Sequence, residues 1–289
     1  MITGSGGMLG HDLVAVLSRQ PDAVVTALPH ALLDVSDAAA VSDAVAGHDV
    51  VVNAAAWTDV DRAEDCEEEA TAVNGHGTRN VALACREHGA RLLHISTDYV
   101  FSGHGTEPYD EDAPADPVNA YGRSKAVGEA AIAELLPDAG YVVRTAWLYG
   151  ARGSNFVATM TDLAARQEFV DVVDDQWGQP TWSYALAERL ALLGYSALAG
   201  TAPAGRYHGT ASGAATWYDL ARAVFELSGL DADRVRPVSS AAYARKARRP
   251  AYSILGHRRW EAADLKPLED WRTMLAEALR EIGPAHTRR

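Results

Sequence analysis

The sequence predicts an α/β fold: a doubly wound parallel sheet with a smaller mixed α/β lobe. Short apolar runs alternate with helical patterns through the first half of the chain, and a glycine-rich turn follows the first of these runs and opens a helix. We expect residues 1–150 to form a dinucleotide-binding domain that carries the catalytic groups. Residues 151–289 are expected to form the smaller substrate lobe, with some late segments joining the sheet.

Bulk composition narrows the class of protein. The 289 residues are 48% hydrophobic and 22% charged, which is ordinary for a globular domain. A net charge of -13 argues against a nucleic-acid partner, because phosphate backbones require a basic surface. Two cysteines, Cys66 and Cys85, provide no disulfide framework and fit a reducing cytosol. No apolar run reaches membrane-spanning length and no secretory leader is visible, so we expect a cytoplasmic protein without a membrane partner.

The glycine-rich turn is the first functional signal. An apolar start, residues 1–3, runs into Gly4-Ser5-Gly6-Gly7-Met8-Leu9-Gly10. The first and second glycines of the pattern, Gly4 and Gly7, would let the backbone turn and approach a pyrophosphate, and Gly10 would let the helix pack on the strand. We therefore expect a Rossmann-like cofactor turn that includes Met8 and Leu9. Only three residues precede it, and we expect the first strand to be clipped by the start of the sequence.

The second apolar run, residues 24–28, bears on cofactor choice. It ends in Pro29-His30, where a fold that prefers NAD often carries an acidic residue. The missing carboxylate favours NADP(H), while the missing arginine keeps NAD(H) open. Asp34 and Val35 are expected to flank an adenine, and a simple turn role for Asp34 is an equal alternative.

A third apolar run, residues 49–53, is followed by the small residues Ala54, Ala55 and Ala56. Small side chains at the carboxyl end of a strand leave room for a ligand in the crevice of an open α/β sheet. A long helix from about Glu67 to His88 follows. We expect its Asn74 to brace the cofactor loop, or else to be a satisfied structural amide.

The catalytic candidates lie on the next strand and helix. Residues 91–96 deliver Thr97 to the same edge, and Tyr121 and Lys125 stand four positions apart on one helical face. The lysine charge would lower the tyrosine pKa, and Tyr121 would then exchange a proton with a carbonyl/alcohol pair. Thr97 could bond the same oxygen. Such a pair alone is typical of a solvated helix, and the nucleotide turn in the same chain favours catalysis.

Assembled, these segments resemble the extended short-chain dehydrogenases/reductases, and within them the dTDP-4-dehydrorhamnose reductase family. The similarity spans nearly the whole chain and is carried by Gly4–Gly10, Asn53–Thr58, Ser96–Phe101, Tyr121–Lys125, Arg144–Tyr149, Asp175–Thr181 and Arg249-Pro250. The resemblance implies that a nicotinamide cofactor reduces the C4 ketone of a dTDP-6-deoxyhexulose, giving a dTDP-6-deoxysugar such as dTDP-L-rhamnose.

The resemblance also assigns roles by position. Tyr121 would donate the proton, Lys125 would hold the nicotinamide ribose and lower the tyrosine pKa, and Thr97 would orient the carbonyl. Asp98 and Trp147 would contact the sugar. The cofactor would be lined by Gly4–Leu9, Asp34-Val35, Ala54–Ala56 and Asn74.

Arg249 is the least specific of these assignments. It could pair with the diphosphate of the substrate. Arg245, Lys246 and Arg248 stand beside it, however, so a solvated basic run is an equal interpretation. Trp57 departs from the smaller or imidazole side chains of many members of the family, which leaves the identity of the hexulose open.

Rival functions remain at this stage. Sugar-nucleotide dehydratases of similar fold carry an Asp-Glu pair after the threonine, and here the pair is Asp98-Tyr99, so the base for elimination is missing. A 4-ketoreductase of another nucleotide deoxysugar from an antibiotic pathway stays open. From another class, so does a non-catalytic NADP-binding regulatory subunit. The spacing of His, Cys and Asp predicts no metal site, and a homodimer, with magnesium at its contact, is left open by the resemblance.

Overall fold

A six-stranded parallel sheet forms the centre of the protein, for which the computed structural model describes residues 1–243 and 245–282. The strands are β1 (Ile2–Thr3), β2 (Ala27–Leu28), β3 (Val50–Asn53), β4 (Arg91–Thr97), β5 (Gly140–Thr145), β6 (Leu148–Tyr149), β7 (Val170–Val173), β8 (Trp177–Gly178), β9 (Thr181–Trp182), β10 (Gly205–His208), β11 (Ala215–Thr216) and β12 (Val235–Val238). The helices are α1 (Met8–Leu17), α2 (Ala38–Val45), α3 (Val60–Ala63), α4 (Glu67–Thr71), α5 (Thr78–His88), α6 (Ala120–Leu135), α7 (Phe156–Arg166), α8 (Ser183–Leu198), α9 (Trp217–Leu227), α10 (Arg258–Ala262) and α11 (Trp271–Ile282).

The central sheet has the order β10-β5-β4-β3-β1-β2, and all five pairings are parallel. The predicted doubly wound parallel sheet is therefore confirmed. The chain adds strands in opposite directions on either side of the β1–β3 boundary. In open α/β sheets such a switch point opens a crevice at the carboxyl ends of the strands, where ligands bind.

Strand alternation divides the core into two layers. Val51 packs in the cluster that contains α2 and α5, whereas Val52 packs in the cluster that contains α1 and α8. Successive side chains of a strand point to opposite faces, so a strand covered by helices on both sides reads as a continuous apolar run. Each buried valine contributes about 1.5–3 kcal/mol relative to exposure.

Two predicted elements differ from the structure. The second strand shortens from residues 24–28 to Ala27–Leu28, because Val24 is 94% exposed. The long helix predicted over residues 67–88 is divided by a π-helical segment, Ala72–Gly77. A π-helical turn contains more residues than an α-helical turn. This segment packs closely against α6, because a Cβ on Gly128 of α6 would lie only 2.5 Å from the Asn74 carbonyl oxygen.

The second half of the chain supplies one strand of the central sheet, helix α8 on the face that carries α1, and the mixed lobe. Strand β10 pairs with β5, and α8 packs on α1. In the lobe, β7 pairs with β12, β8 pairs with β11, and α7 packs against α9. Late segments thus join the sheet as expected, while a domain division at residue 150 stays a prediction.

A buried ion pair ties α6 to the sheet. Arg144 of β5 donates to both carboxylate oxygens of Glu129, at 2.9 and 2.7 Å, and the side chains are 1% and 4% exposed. Ser96 of β4 donates to the same carboxylate at 2.6 Å. Removing one partner of such a pair leaves an uncompensated buried charge, so the pair fixes α6 relative to β4 and β5.

We expect Glu129→Gln to lower the free energy of unfolding by about 3 kcal/mol, because the Arg144 guanidinium stays buried without its counter-charge. Urea unfolding measures the change. The matched control is Glu134→Gln on the same helix, whose partner Arg79 lies 3.0 Å away at the surface, and it should change stability little. Equal losses in the two variants would show that burial does not set the strength of the Glu129 pair.

Candidate active site

The glycine turn lies directly on the end of β3. Gly4 has φ +63°, and a Cβ there would lie 2.6 Å from the Ala55 nitrogen and 2.7 Å from the Ala54 carbonyl oxygen. A Cβ on Gly10 would clash with the Gly4 carbonyl oxygen. At Gly10 the first helix therefore packs closely on the turn itself, whereas the sequence predicted that this glycine lets the helix pack on the strand.

The first turn of α1 is open to an anion. Gly7 is its N-cap, in extended conformation and without a side-chain hydrogen bond to the helix. Free backbone N–H groups and the positive end of the helix dipole therefore face the carboxyl edge of the sheet. Leu9 is buried in the core, and Met8 contacts Gly150. This end of the helix fits a pyrophosphate.

Asp34 and Val35 have protein partners of their own. Asp34 Oδ1 accepts hydrogen bonds from the Ser36 nitrogen at 2.9 Å and from its hydroxyl at 2.8 Å, and these bonds lower the pKa of Asp34. This is the turn role that the sequence left open. The Val35 side chain is buried against Gly77, so a contact with adenine stays a prediction.

Asn74 braces the loop that follows β3. Its Oδ1 accepts from the Trp57 nitrogen at 2.9 Å, and its Nδ2 donates to the Trp57 carbonyl at 3.1 Å and to Ser124 Oγ at 2.9 Å. The side chain is fully buried. The sequence offered Asn74 either as a brace of the loop or as a buried amide with all its hydrogen bonds made. The same three hydrogen bonds fit both interpretations.

Tyr121, Thr97 and Asp98 meet where β4 ends and α6 begins. Asn119 caps α6 by accepting from the Gly122 nitrogen at 2.8 Å, and a Cβ on Gly122 would clash with the Tyr99 carbonyl. The helix start therefore lies against the end of β4. Thr97 Oγ1 donates to Asp98 Oδ1 at 3.0 Å.

The prediction that Lys125 lowers the pKa of Tyr121 is wrong. Burial raises the pKa of Tyr121 to about 12, the Asp98 charge adds to the rise, and a hydrogen bond with Thr97 opposes it. The Lys125 ammonium instead donates to the Ile95 carbonyl at 2.6 Å and lies 3.2 Å from His94 Nε2. Burial lowers the pKa of Lys125 to about 8, with Glu129 opposing. Tyr121 consequently stays protonated at neutral pH.

Asp98 presents a free carboxylate oxygen inside the site. The residue is 2% exposed, and its Oδ2 has no hydrogen-bond partner among residues 1–243 and 245–282. Burial raises the pKa of Asp98 to about 6, opposed by the nearby Ser253 hydroxyl, which itself donates to the Trp177 carbonyl at 3.3 Å, and by the Thr97 hydroxyl. Buried polar atoms normally have partners, so this oxygen is suited to a ligand hydroxyl.

Trp147 adopts a backbone conformation that is uncommon for its residue type. Its φ is +46°, which costs on the order of 1–3 kcal/mol for a bulky residue and is typical of functional sites. One ring face stacks on Trp217, with 3.5 Å between centroids and 8° between planes. The ring edge lies against Gly178. A contact between Trp147 and a sugar stays a prediction.

The predicted diphosphate ligand Arg249 is engaged by a carboxylate. Its two terminal nitrogens donate to Asp61 Oδ1 and Oδ2 at 3.1 and 3.0 Å. Arg245 and Arg248 lie beside it around a shared surface pocket that also contains His104. Arg249 is therefore paired with Asp61 of the same chain. A contact between Arg249 and a diphosphate stays a prediction.

Sequence reasoning missed His94 and Asn53. Both point from the sheet toward α6 at the level of Lys125. A signal was available, since His94 stands between the apolar residues of β4 and Asn53 ends the apolar run of β3. Their proximity depends on strand register, which the sequence did not reveal.

In the part of the chain that the structure describes, no group of three or more His, Cys, Asp or Glu side chains is placed to hold a metal ion. Within the same residues, no helix combines the length and the apolar character needed to cross a membrane.

Comparison with known proteins extends these observations. The sequence model of the family described as RmlD substrate binding domain matches residues 1–283. The chain is 56% identical to a dTDP-4-dehydrorhamnose reductase of Streptomyces griseus, over 96% of this chain and 92% of that protein. It is 49% identical to a dTDP-4-keto-6-deoxy-D-glucose reductase of Streptomyces niveus, over 96% and 95%. The crystal structure of dTDP-4-dehydrorhamnose reductase from Bacillus anthracis in complex with NADP superposes with a TM-score of 0.90 at 35% identity, covering 97% and 98% of the two chains.

We expect Asn74→Ala to lower the free energy of unfolding by about 2 kcal/mol or more, because the Trp57 backbone and the Ser124 hydroxyl lose buried partners. Chemical unfolding followed by circular dichroism tests this. Asn80→Ala is the control. Asn80 donates at 3.0 and 3.2 Å to two backbone carbonyls from a half-exposed position, where water can replace it. A loss at Asn74 no larger than at Asn80 would contradict the bracing role.

Proposed function

The chain belongs to the RmlD substrate binding domain family, and on that premise we propose that it uses NADPH to reduce the C4 ketone of a dTDP-6-deoxyhexulose. Conversion of dTDP-4-dehydrorhamnose to dTDP-L-rhamnose is the reaction that this proposal favours. One observation supports it most directly: Tyr121, next to Thr97 and Asp98 with its unpartnered Oδ2, lies at the same edge of the sheet as the glycine turn.

The cofactor would lie along the carboxyl edge of β1 and β3. The turn at Gly4 and the uncapped start of α1 fit its pyrophosphate. The absence of a carboxylate after β2 favours NADP(H) over NAD(H). Lys125 uses its bonds to Ile95 and His94 for two of its three N–H donors, and the third remains for the nicotinamide ribose.

Bound NADPH supplies a hydride to C4 of the sugar. Tyr121 donates its hydroxyl proton to the ketone oxygen, and a C4–H bond and an O–H bond replace the carbonyl π bond. Its raised pKa keeps this proton in place at neutral pH. Thr97 holds the carbonyl oxygen near the phenol once its hydroxyl, which donates to Asp98 Oδ1 in this structure, turns to the ketone. Solvent returns the proton before the next turnover.

Asp98 and Trp147 would hold the sugar. The unpartnered oxygen of Asp98 accepts a sugar hydroxyl, which supplies the hydrogen bond that this buried atom lacks. Trp147 offers an apolar surface to the pyranose, stiffened by Trp217. Arg249, if it releases Asp61, pairs with the diphosphate.

A second substrate is favoured by the relatives themselves. A relative at 49% identity is named for dTDP-4-keto-6-deoxy-D-glucose, and another, from Streptomyces antibioticus at 48%, is named as a probable 4-ketoreductase of a different dTDP sugar. Trp57, bonded through its backbone to Asn74 and covered by Arg62 at 5.1 Å, borders the loop near the site. A bulky side chain there can select between ketosugars that differ in ring configuration.

The decisive experiment follows NADPH absorbance with purified protein and each of the two dTDP ketosugars, and identifies the products by nuclear magnetic resonance. Oxidation of NADPH coupled to dTDP-L-rhamnose supports the favoured reaction. Oxidation with dTDP-4-keto-6-deoxy-D-glucose alone supports the second substrate. NADPH binding without oxidation of either supports the non-catalytic regulatory subunit, and NADH in place of NADPH measures cofactor preference.

Location and assembly are further proposals. We propose a cytoplasmic enzyme, which the unpaired thiols of Cys66 and Cys85 fit. We also propose that the protein forms a homodimer. Sedimentation velocity with and without magnesium tests this. A single species at the 30.9 kDa of one chain would contradict the dimer.

Replacing the proton donor should abolish most turnover. We expect Tyr121→Phe to lower kcat by about 10²–10⁴-fold while NADPH still binds, because general acid catalysis typically contributes that much. Tyr141→Phe is the matched control, since its hydroxyl bonds the Ala202 carbonyl at 3.0 Å on another part of the sheet. Turnover of Tyr121→Phe within a few-fold of the parent enzyme would remove Tyr121 from the mechanism.

The dependence of kcat/KM on pH should report the titration of the Lys125 ammonium. We expect kcat/KM to fall about tenfold per pH unit above an apparent pKa of about 8, because the ammonium loses its charge as pH rises through that value. The profile of kcat/KM reports groups of the free enzyme, so it is the right parameter to compare with this structure. A profile that stays flat well above pH 8 would show that the Lys125 charge is not needed.

A further inference from the structure

Three polar side chains form a row beneath α6. Thr3, Asn53 and His94 stand on the adjacent strands β1, β3 and β4, and the register pairs Thr3 with Asn53 and Asn53 with His94. They point to the same face because paired positions of parallel strands share a side of the sheet. All three are at most 1% exposed. The proposed reaction assigns none of them a role.

The row forms a continuous hydrogen-bonded chain that ends on Lys125. Thr3 Oγ1 donates to Asn53 Oδ1 at 2.6 Å, and Asn53 Nδ2 lies 3.1 Å from His94 Nδ1. His94 Nε2 lies 3.2 Å from Lys125 Nζ. At its other end, Thr3 Oγ1 accepts from the Ala55 nitrogen at 3.3 Å, next to the glycine turn. The chain thus connects the cofactor edge with the buried lysine.

The proton count of this chain depends on the charge of Lys125. A neutral imidazole has one donor and one acceptor nitrogen, and an ammonium can only donate. With Lys125 charged, His94 must accept at Nε2 and carry its hydrogen on Nδ1, so the Asn53 amide must turn toward the ring the oxygen that accepts from Thr3 in this structure. With Lys125 neutral, Nε2–H donates to the amine and the Asn53 NH₂ group donates to Nδ1. The hydrogen bonds therefore reverse direction when Lys125 loses its proton.

We propose that His94 is the positioning residue of Lys125, and that Asn53 and Thr3 determine which nitrogen of its ring carries the hydrogen. As a neutral acceptor, His94 stabilises the ammonium and fixes two of its donors together with the Ile95 carbonyl, so that the third donor has a defined direction. The catalytic consequence rests on the proposed function, whereas the structural role does not.

The neighbouring charges are consistent with this role. Glu129 faces Lys125 from its own helix and raises the pKa of Lys125, but its carboxylate is paired with Arg144 of β5. Tyr121 is neutral, and Asp98 at the end of β4 acts on it. Burial and the Lys125 charge hold the pKa of His94 well below its usual range, so the ring stays neutral while the lysine is charged.

Direct titration of Lys125 tests the proposal. The chain has three lysines, Lys125, Lys246 and Lys266, so side-chain ¹³C and ¹⁵N labelling of lysine gives a spectrum of three signals. Loss of a signal in Lys125→Met assigns it, and the parent signal should titrate near pH 8. In His94→Leu the ammonium loses an acceptor, and its pKa should fall by about one unit or more. His94→Gln offers an amide oxygen and should restore most of the parent value.

The control is His257→Leu, the same substitution at a histidine whose Nε2 lies 2.9 Å from Thr210 Oγ1 and which does not contact Lys125. Its Lys125 titration should match the parent. An unchanged Lys125 pKa in folded His94→Leu overturns the proposal. So does a Gln variant that behaves like the Leu variant while thermal unfolding shows both to be equally folded.

A second variant, Asn53→Asp, tests the proposal if His94→Leu does not fold. A carboxylate can only accept, so Asn53→Asp holds the hydrogen on His94 Nδ1 and leaves Nε2 to accept from the lysine. The Lys125 pKa should then rise, and a value at or below that of the parent overturns the proposal. These titrations need no turnover, so a parent protein that fails to oxidise NADPH counts against the proposed function alone. If the parent is active, the alkaline limb of kcat/KM should move with the Lys125 pKa in each variant.

Discussion

The burial of one ammonium group is the constraint on which the site depends. Removing such an ion from water costs several kcal/mol even after relaxation. Lys125 meets that cost with the Ile95 carbonyl, the His94 ring and the nearby charge of Glu129. These partners come from β4 and from α6 itself, so the helix can hold its lysine in only one position relative to the sheet. Tyr121, one turn earlier, is fixed by the same constraint.

Close contacts at glycines make this position possible. Gly122 and Gly128 let α6 approach the end of β4 and the π-helical segment, and Gly4 lets the cofactor turn lie on Ala55. At each of these points a Cβ would force two elements apart. The crevice at the switch point of the sheet and the start of α6 are therefore brought to one edge by backbone contacts, before any side chain takes part.

Three groups of the site have different pKa values because their environments differ. Burial raises the pKa of Asp98 to about 6 and that of Tyr121 to about 12, and it lowers that of Lys125 to about 8. Groups whose pKa values are pushed apart can take different roles in one reaction. The sequence identified all three residues, but it predicted the wrong direction for Tyr121, because a charge four positions away matters less there than burial.

The sequence by itself determined the parallel sheet, the glycine turn of Gly4–Gly10 and the Tyr121/Lys125 pair. These follow from local properties: the period of apolar residues, the conformations open to glycine, and the geometry of one helical turn. Only the tertiary structure decided that Arg249 meets Asp61, or that His94 lies against the lysine. Such contacts join residues far apart in the chain through strand register and helix packing, and no local pattern encodes either. The residues that meet at this edge of the sheet could therefore be predicted from the sequence, whereas the contacts that hold them there could not.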